Sequence, residues 1–117
     1  EINEGTFWES LLLASNHKLS NLCCIIDYNH SNDRSIKLDP LNDKIKAFGW
    51  LVKEIDGHNH NEIDTNLKFL DKSKKPLAVI AHTIKGKGIK MMENNPEWHH
   101  KTPNVEELNI IIDELSN

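Results

Sequence analysis

The 117-residue sequence predicts an α/β protein built on a parallel sheet. Three observations carry this prediction. Apolar segments alternate with helical patterns, which is typical of βαβ units. Two of the apolar segments lack a polar alternation, as strands of a parallel sheet do. Each apolar segment is followed by polar residues, in the position where parallel sheets bind ligands. A chain of this length is expected to form one domain.

The predicted strands are short and few. They span residues 22–28, 50–55 and 77–81. The first and third are apolar throughout, which predicts strands covered on both faces of the sheet. Three strands make a narrow sheet, so we expect an exposed apolar edge unless further strands or a partner cover it. The sequence therefore indicates part of a larger domain.

Helices are predicted where apolar residues recur at helical spacing, over residues 6–17, 40–50, 61–72 and 105–115. Thr6 as N-cap and Glu9 three residues later suggest a capping box at the first helix. Asp39 as N-cap and Pro40 at the first helical position suggest the start of the second. The chain therefore alternates helix and strand until a long polar loop precedes the last helix.

Composition excludes several classes of function. With 14 basic and 18 acidic residues the net charge is -4, so the chain lacks the basic field that drives nucleic-acid binding. No apolar run approaches the roughly 20 residues that cross a bilayer, and the N-terminus carries no secretory pattern. Cys23 and Cys24 are neighbours in a strand and point to opposite faces. We therefore expect two reduced thiols in a cytoplasmic protein.

Loops after the predicted strands hold the candidate site residues. In the loop after the third strand, Lys85 and Lys87 alternate with Gly86 and Gly88. Glycine lets backbone amides approach an anion and lysine supplies positive charge, so this loop suits a phosphate group. The alternative is a solvated turn with surface lysines. The loop spacing differs from that of a Walker A motif.

Other candidates are an asparagine, a histidine and two glutamates. Asn29 directly ends a strand, where its amide oxygen could ligate a hard cation such as Mg²⁺; the alternative is a turn residue. His99 could donate hydrogen bonds or transfer protons, although an exposed loop histidine is the simpler interpretation. Glu4 and Glu9 lie near a helix start, where carboxylates ordinarily interact with the helix dipole.

Several segments in collinear order resemble the transketolase family of thiamine-diphosphate enzymes. The resemblance is closest to the N-terminal subunit of split bacterial transketolases. It begins just after the position of the family's Gly-Asp-Gly motif, and residues 82–101 are its most distinctive part. The matching segments are 1–9, 16–22, 26–29, 38–41, 47–50, 56–60, 82–88 and 92–101.

The resemblance implies a fold and an activity. The expected fold is the three-layer αβα thiamine-diphosphate-binding fold, of which residues 1–117 would form the C-terminal part of the diphosphate-binding domain. The expected activity of the complete enzyme is transfer of a two-carbon ketol unit between sugar phosphates, with this chain alone inactive. The alternatives are a non-catalytic assembly module of the same fold and a decarboxylating relative such as deoxyxylulose-phosphate synthase.

The resemblance also implies roles for single residues. Mg²⁺ or Ca²⁺ would be held by the Asn29 side chain and the Ser31 carbonyl, and Lys85 would contact the thiamine diphosphate. His99 would be catalytic, reaching the diphosphate and the substrate hydroxyls. Glu4 and Glu9 would lie at a subunit interface. The implied partner is a C-terminal subunit carrying the pyrimidine-binding domain, in a dimer of such pairs without nucleic acid or membrane.

Overall fold

A computed structural model describes residues 1–70 and 73–116. The chain divides into two compact units, Glu1–Thr83 and Ile84–Asn117. The elements follow the predicted order, and the described residues also form short 3₁₀ helices at Ser31–Arg34 and Pro96–His99. They are α1 (Gly5–Asn16), β1 (Cys23–Tyr28), α2 (Leu41–Ala47), β2 (Leu51–Asp56), α3 (His60–Leu67), β3 (Leu77–His82) and α4 (Val105–Ser116).

The three strands form one parallel sheet in the order β1-β3-β2, as predicted. Tyr28 at the end of β1 and Asp56 at the end of β2 both lie opposite His82 at the end of β3. All three strands therefore end at the same edge of the sheet. The loops that begin there start from neighbouring positions, which is the geometry that ligand sites of parallel sheets use.

Helices cover both faces of the sheet, so the first unit has three layers. On one face, α1 and α2 pack Leu11 and Ile45 against the sheet. The buried indole of Trp50 ties this layer together, because its N–H donates to the Leu11 carbonyl at 2.8 Å. On the other face, α3 packs against β2 and β3. The apolar residues of that second core are Ile55, Leu77, Val79 and Ala81, with Ile63, Leu67 and Leu70 packed against them.

The two strands that are apolar in sequence, β1 and β3, differ in how far they are buried. In the central β3, the residues from Leu77 to Ala81 are all buried, so the prediction of two covered faces is confirmed there. In β1 the prediction is wrong, because β1 is an edge strand and 61% of Ile25 is exposed. Cys24 packs against one core and Cys23 against the other, and both thiols are free, as predicted. Burial raises the pKa of both thiols.

Two predicted helix caps are wrong. Glu4 is the N-cap of α1 and makes no side-chain capping bond, while Thr6 lies inside the helix. Pro40 is the N-cap of α2. The Asp39 carboxylate instead accepts a hydrogen bond from the Tyr28 hydroxyl at 2.8 Å. Gly49 follows α2 at φ +89°, a left-handed conformation that suits glycine.

The third predicted helix is longer than the observed one. Asn59 caps α3 by accepting from the amides of Asn61 and Glu62, and the helix ends at Leu67. The predicted end at residues 71–72 lies outside the described residues. Within the described ranges, no helix is long and apolar enough to cross a membrane.

Candidate functional site

Asn29 forms a tight turn at the carboxyl end of β1. Its Oδ1 accepts a hydrogen bond from the Ser31 backbone amide at 3.0 Å. His30, between them, has φ +59°, so the chain reverses sharply and brings the Ser31 amide back to the Asn29 side chain. Asn29 and Ser31 therefore lie together at the edge of the sheet, as the sequence predicted for one loop.

Asp27 and Thr83 complete this arrangement. One carboxylate oxygen of Asp27 accepts from the Thr83 hydroxyl, and the other accepts from the Asn29 amide nitrogen at 3.4 Å. Asp27 is a residue that the prediction from sequence missed. The available signal was an acidic residue two positions before Asn29, because residues two apart at a strand end point to the same face and Tyr28 between them points to the other.

The oxygen atoms in this turn could serve as ligands for a hard cation. An amide oxygen carries two lone pairs, and the Ser31 amide uses only one of those on Asn29 Oδ1. In the described part of the chain, no group of three or more His, Cys, Asp or Glu is placed to hold a metal ion. The oxygen donors near Asn29 therefore fit a partial ligand set for Mg²⁺ or Ca²⁺, which prefer oxygen ligands, and do not resemble a zinc site.

In the second unit, the structure joins the two residues that the sequence assigned to a cofactor. Lys85 Nζ lies 2.6 Å from His99 Nδ1. An ammonium group has donors and no acceptor, so Nδ1 accepts and the ring proton resides on Nε2. His99 is exposed and Lys85 is half-buried. The pair therefore presents a positive charge and an N–H donor from adjacent side chains.

The loop between Lys85 and His99 folds back through turns that its sequence permits. Gly86 has φ +78°, and a Cβ there would lie 2.5 Å from the Met92 carbonyl oxygen. The Asn94 amide donates to the Lys85 carbonyl at 2.9 Å, which closes the loop. Asn95 then caps the short helix Pro96–His99 by accepting from the Glu97 amide at 3.1 Å. These contacts bring His99 to Lys85.

A pocket of about 380 Å³ in the first unit, lined by both polar and apolar residues, was not predicted. His82 Nε2 lies 2.9 Å from a Glu54 carboxylate oxygen, and Asn42 donates to the other oxygen. The hydrogen bonds from Asn42 and His82 hold the pKa of Glu54 below its usual range. Burial and the bond to Asp39 raise the pKa of Tyr28. These residues come from separate elements, so no local sequence pattern signals the pocket.

Glu4 lies directly before α1, and Glu9 lies within the helix. Glu4 is the exposed N-cap residue, which suits a carboxylate near the positive end of the helix dipole. Glu9 is exposed and lies beyond the first turn. Their assignment to a subunit interface stays a prediction.

Comparison with known proteins identifies the class of domain. The family model described as "Transketolase, thiamine diphosphate binding domain" matches residues 1–113. The fold and the match together define a thiamine-diphosphate-binding domain of the αβα type. The chain belongs to the transketolase family, as the sequence resemblance predicted.

Individual relatives agree with this assignment. The chain is 38% identical to one of the subunits of apulose-4-phosphate transketolase from Actinobacillus succinogenes, with 98% of this chain and 44% of the relative covered. It is 36% identical to the 6-deoxy-6-sulfo-D-fructose transketolase subunit SqwG of a Clostridium species, covering 86% of this chain and 38% of the relative. The chain thus spans less than half of these relatives.

A solved structure has the same fold. The crystal structure of transketolase from Campylobacter jejuni matches with a TM-score of 0.88 at 28% identity, covering 98% of this chain and 19% of that chain. The chain therefore corresponds to one region of a larger enzyme in that structure.

Replacing Gly86 with alanine should destabilise the loop more than the same change at Gly88. Both glycines have positive φ, so each substitution carries a backbone cost of about 1–2 kcal/mol. Only at Gly86 would the new Cβ collide with the Met92 carbonyl, because no atom of the described residues lies within 4 Å of a Cβ placed at Gly88. Thermal unfolding measures the difference. Equal losses for Gly86→Ala and Gly88→Ala would contradict the described loop.

Proposed function

We propose that the chain is part of a transketolase that transfers a two-carbon ketol unit between sugar phosphates, using thiamine diphosphate and Mg²⁺. The observation that carries the proposal is the 2.6 Å contact between Lys85 Nζ and His99 Nδ1. These two residues are 14 positions apart, and the resemblance assigned both of them to the cofactor.

The residues divide the work by their chemistry. Asn29 Oδ1 and the Ser31 carbonyl would contribute oxygen ligands to the cation that neutralises the diphosphate. Lys85 would contact the thiamine diphosphate, as the resemblance implies, and supply a point charge there. When bound, thiamine diphosphate supplies the electron sink that ketol transfer requires. The chain itself supplies binding and orientation.

His99 would act on the substrate through its Nε2–H. Because Nδ1 accepts from Lys85, the N–H on the other side of the ring is oriented as a donor. A donor placed near the reacting carbon can hold substrate hydroxyls and stabilise charge that develops in the transition state.

The complete enzyme would need a partner subunit with the pyrimidine-binding domain, in a dimer of such pairs located in the cytoplasm. Two relatives are named as transketolase subunits, which supports a split organisation. Their names refer to a phosphorylated sugar and a sulfonated sugar. Both sugars carry an anionic group, and we propose the same class of sugar substrate for this enzyme.

The complete enzyme should transfer a ketol unit from a ketose phosphate to an aldose phosphate, because transketolase relatives cover nearly the whole chain. The assay measures the new ketose in the presence of thiamine diphosphate and Mg²⁺. Pyruvate serves as the alternative donor. Turnover of pyruvate with no ketol transfer would replace the proposal by a decarboxylating function, and turnover of neither would favour a non-catalytic module.

Asn29→Ala should weaken metal-dependent cofactor binding, because it removes one oxygen ligand. We expect the half-saturating Mg²⁺ concentration to rise at least roughly tenfold. Calorimetry of thiamine diphosphate binding at several Mg²⁺ concentrations measures the change. Asn61→Ala, an exposed asparagine in α3, is the matched control. An unchanged Mg²⁺ requirement in Asn29→Ala would remove Asn29 from the metal site.

His99→Ala should lower turnover roughly a hundredfold while changing cofactor affinity far less, since its role is in the transition state. His100→Ala is the matched control, because its ring lies beside that of His99 with centroids 4.3 Å apart. Steady-state kinetics at saturating cofactor separate the two effects. Wild-type ketol transfer in His99→Ala would show that the assigned role is wrong.

A further inference from the structure

Asp27 forms hydrogen bonds with the segments that follow two neighbouring strands, β1 and β3. It lies on β1, and its carboxylate bonds to Thr83, which directly follows β3. The same carboxylate bonds to the amide nitrogen of Asn29, two residues further along the chain. One side chain therefore connects the proposed metal ligand to the neighbouring strand.

The two bonds of Asn29 fix the orientation of its side-chain amide. A carboxylate only accepts hydrogen bonds, so Asp27 selects the nitrogen end of that amide. The Ser31 backbone amide only donates, so it selects the oxygen end. A reversed amide would lose both bonds and place two acceptors against each other. The network therefore holds Oδ1, with its second lone pair, in one direction.

Gly57 restrains Thr83 from the other side. A Cβ on Gly57 would lie 2.4 Å from the Thr83 methyl carbon and 3.1 Å from the His82 carbonyl oxygen. The Gly57 amide also donates to that carbonyl at 2.8 Å. The loop after β2 therefore packs directly on Thr83 and limits rotation of its side chain. The hydroxyl stays directed at Asp27.

We propose that Asp27 and Thr83 are positioning residues for a divalent cation: together they orient the Asn29 amide so that its oxygen faces the metal. This inference rests on the proposed function, which makes Asn29 a ligand. Residues that orient a metal ligand ordinarily change metal affinity by roughly 10–100-fold when they are removed. Neither residue needs to touch the metal, because both act through Asn29.

The test uses the complete enzyme with Mn²⁺ as the probe, and the free ion is counted by electron paramagnetic resonance in the presence of thiamine diphosphate. Asp27→Ala should raise the half-saturating Mn²⁺ concentration about tenfold, because it removes both acceptors, the one that faces the Asn29 amide and the one that faces the Thr83 hydroxyl. Thr83→Val should raise it several-fold and Thr83→Ser should restore it. Turnover at saturating Mn²⁺ should stay near that of the wild type.

Controls separate positioning from charge and from general stability. Asp43→Asn removes one exposed carboxylate from α2 and should leave the Mn²⁺ requirement unchanged. Unfolding temperatures without metal and cofactor should be similar for the wild type and for Thr83→Val. A loss of stability that fully accounts for the weaker Mn²⁺ binding in both Asp27→Ala and Thr83→Val would overturn the inference.

Comparison with Asn29→Ala distinguishes the positioning role from the metal site itself. If Asn29→Ala weakens Mn²⁺ binding while Asp27→Ala and Thr83→Val do not, the positioning role is wrong and the proposed function stands. If Asn29→Ala also binds Mn²⁺ like the wild type, the metal site of the proposed function fails, and the inference fails with it.

Discussion

Parallel pairing of β1 and β2 with β3 is the constraint from which the candidate site in the first unit follows. Because the strands run in the same direction, Tyr28, Asp56 and His82 come into register at one edge. The residues that follow them leave the sheet at that edge. Burial of Leu77 to Ala81 on both faces keeps β3 in the middle of the sheet, where it pairs with β1 on one side and β2 on the other.

The same pairing explains the contacts around Asn29. Asp27 of β1 pairs with Ala81 of β3, and the side chains of such a pair lie on the same face of the sheet. The next residue along the β3 segment that points to this face is Thr83, two positions after Ala81. The bond between Asp27 and Thr83 is thus a consequence of strand register and needs no additional loop. Gly57 adds a third strand end to the contact, because only a residue without a side chain fits against Thr83. All three strands therefore contribute to the environment of one amide.

Local patterns predicted the elements better than their surroundings. The order of helices and strands, the parallel sheet and the edge that carries the loops followed from apolar periodicity. The exposure of β1 could not be predicted in this way. An apolar run shows only that a strand can be buried, whereas its place at the edge of the sheet depends on how all the strands pair. The Asp39 cap failed for a similar reason: the Tyr28 hydroxyl, 11 residues away, takes the carboxylate that the helix start would have used. A rule for helix caps that considers only neighbouring residues does not include such a distant hydrogen-bond partner.

The same distinction applies to the site. Asn29, Lys85 and His99 could be selected from the sequence, because the resemblance and the loop positions both indicate them. The contact between Lys85 and His99 could not, since it depends on the turn at Gly86 and on the closure by Asn94. The two lysines of this loop also differ in the charge of their partners. Lys87 lies 3.8 Å from the Glu93 carboxylate, which offsets its charge, whereas Lys85 bonds to an imidazole acceptor that leaves the ammonium charge uncancelled. Lys85 is therefore the lysine whose charge is better retained for an anionic ligand.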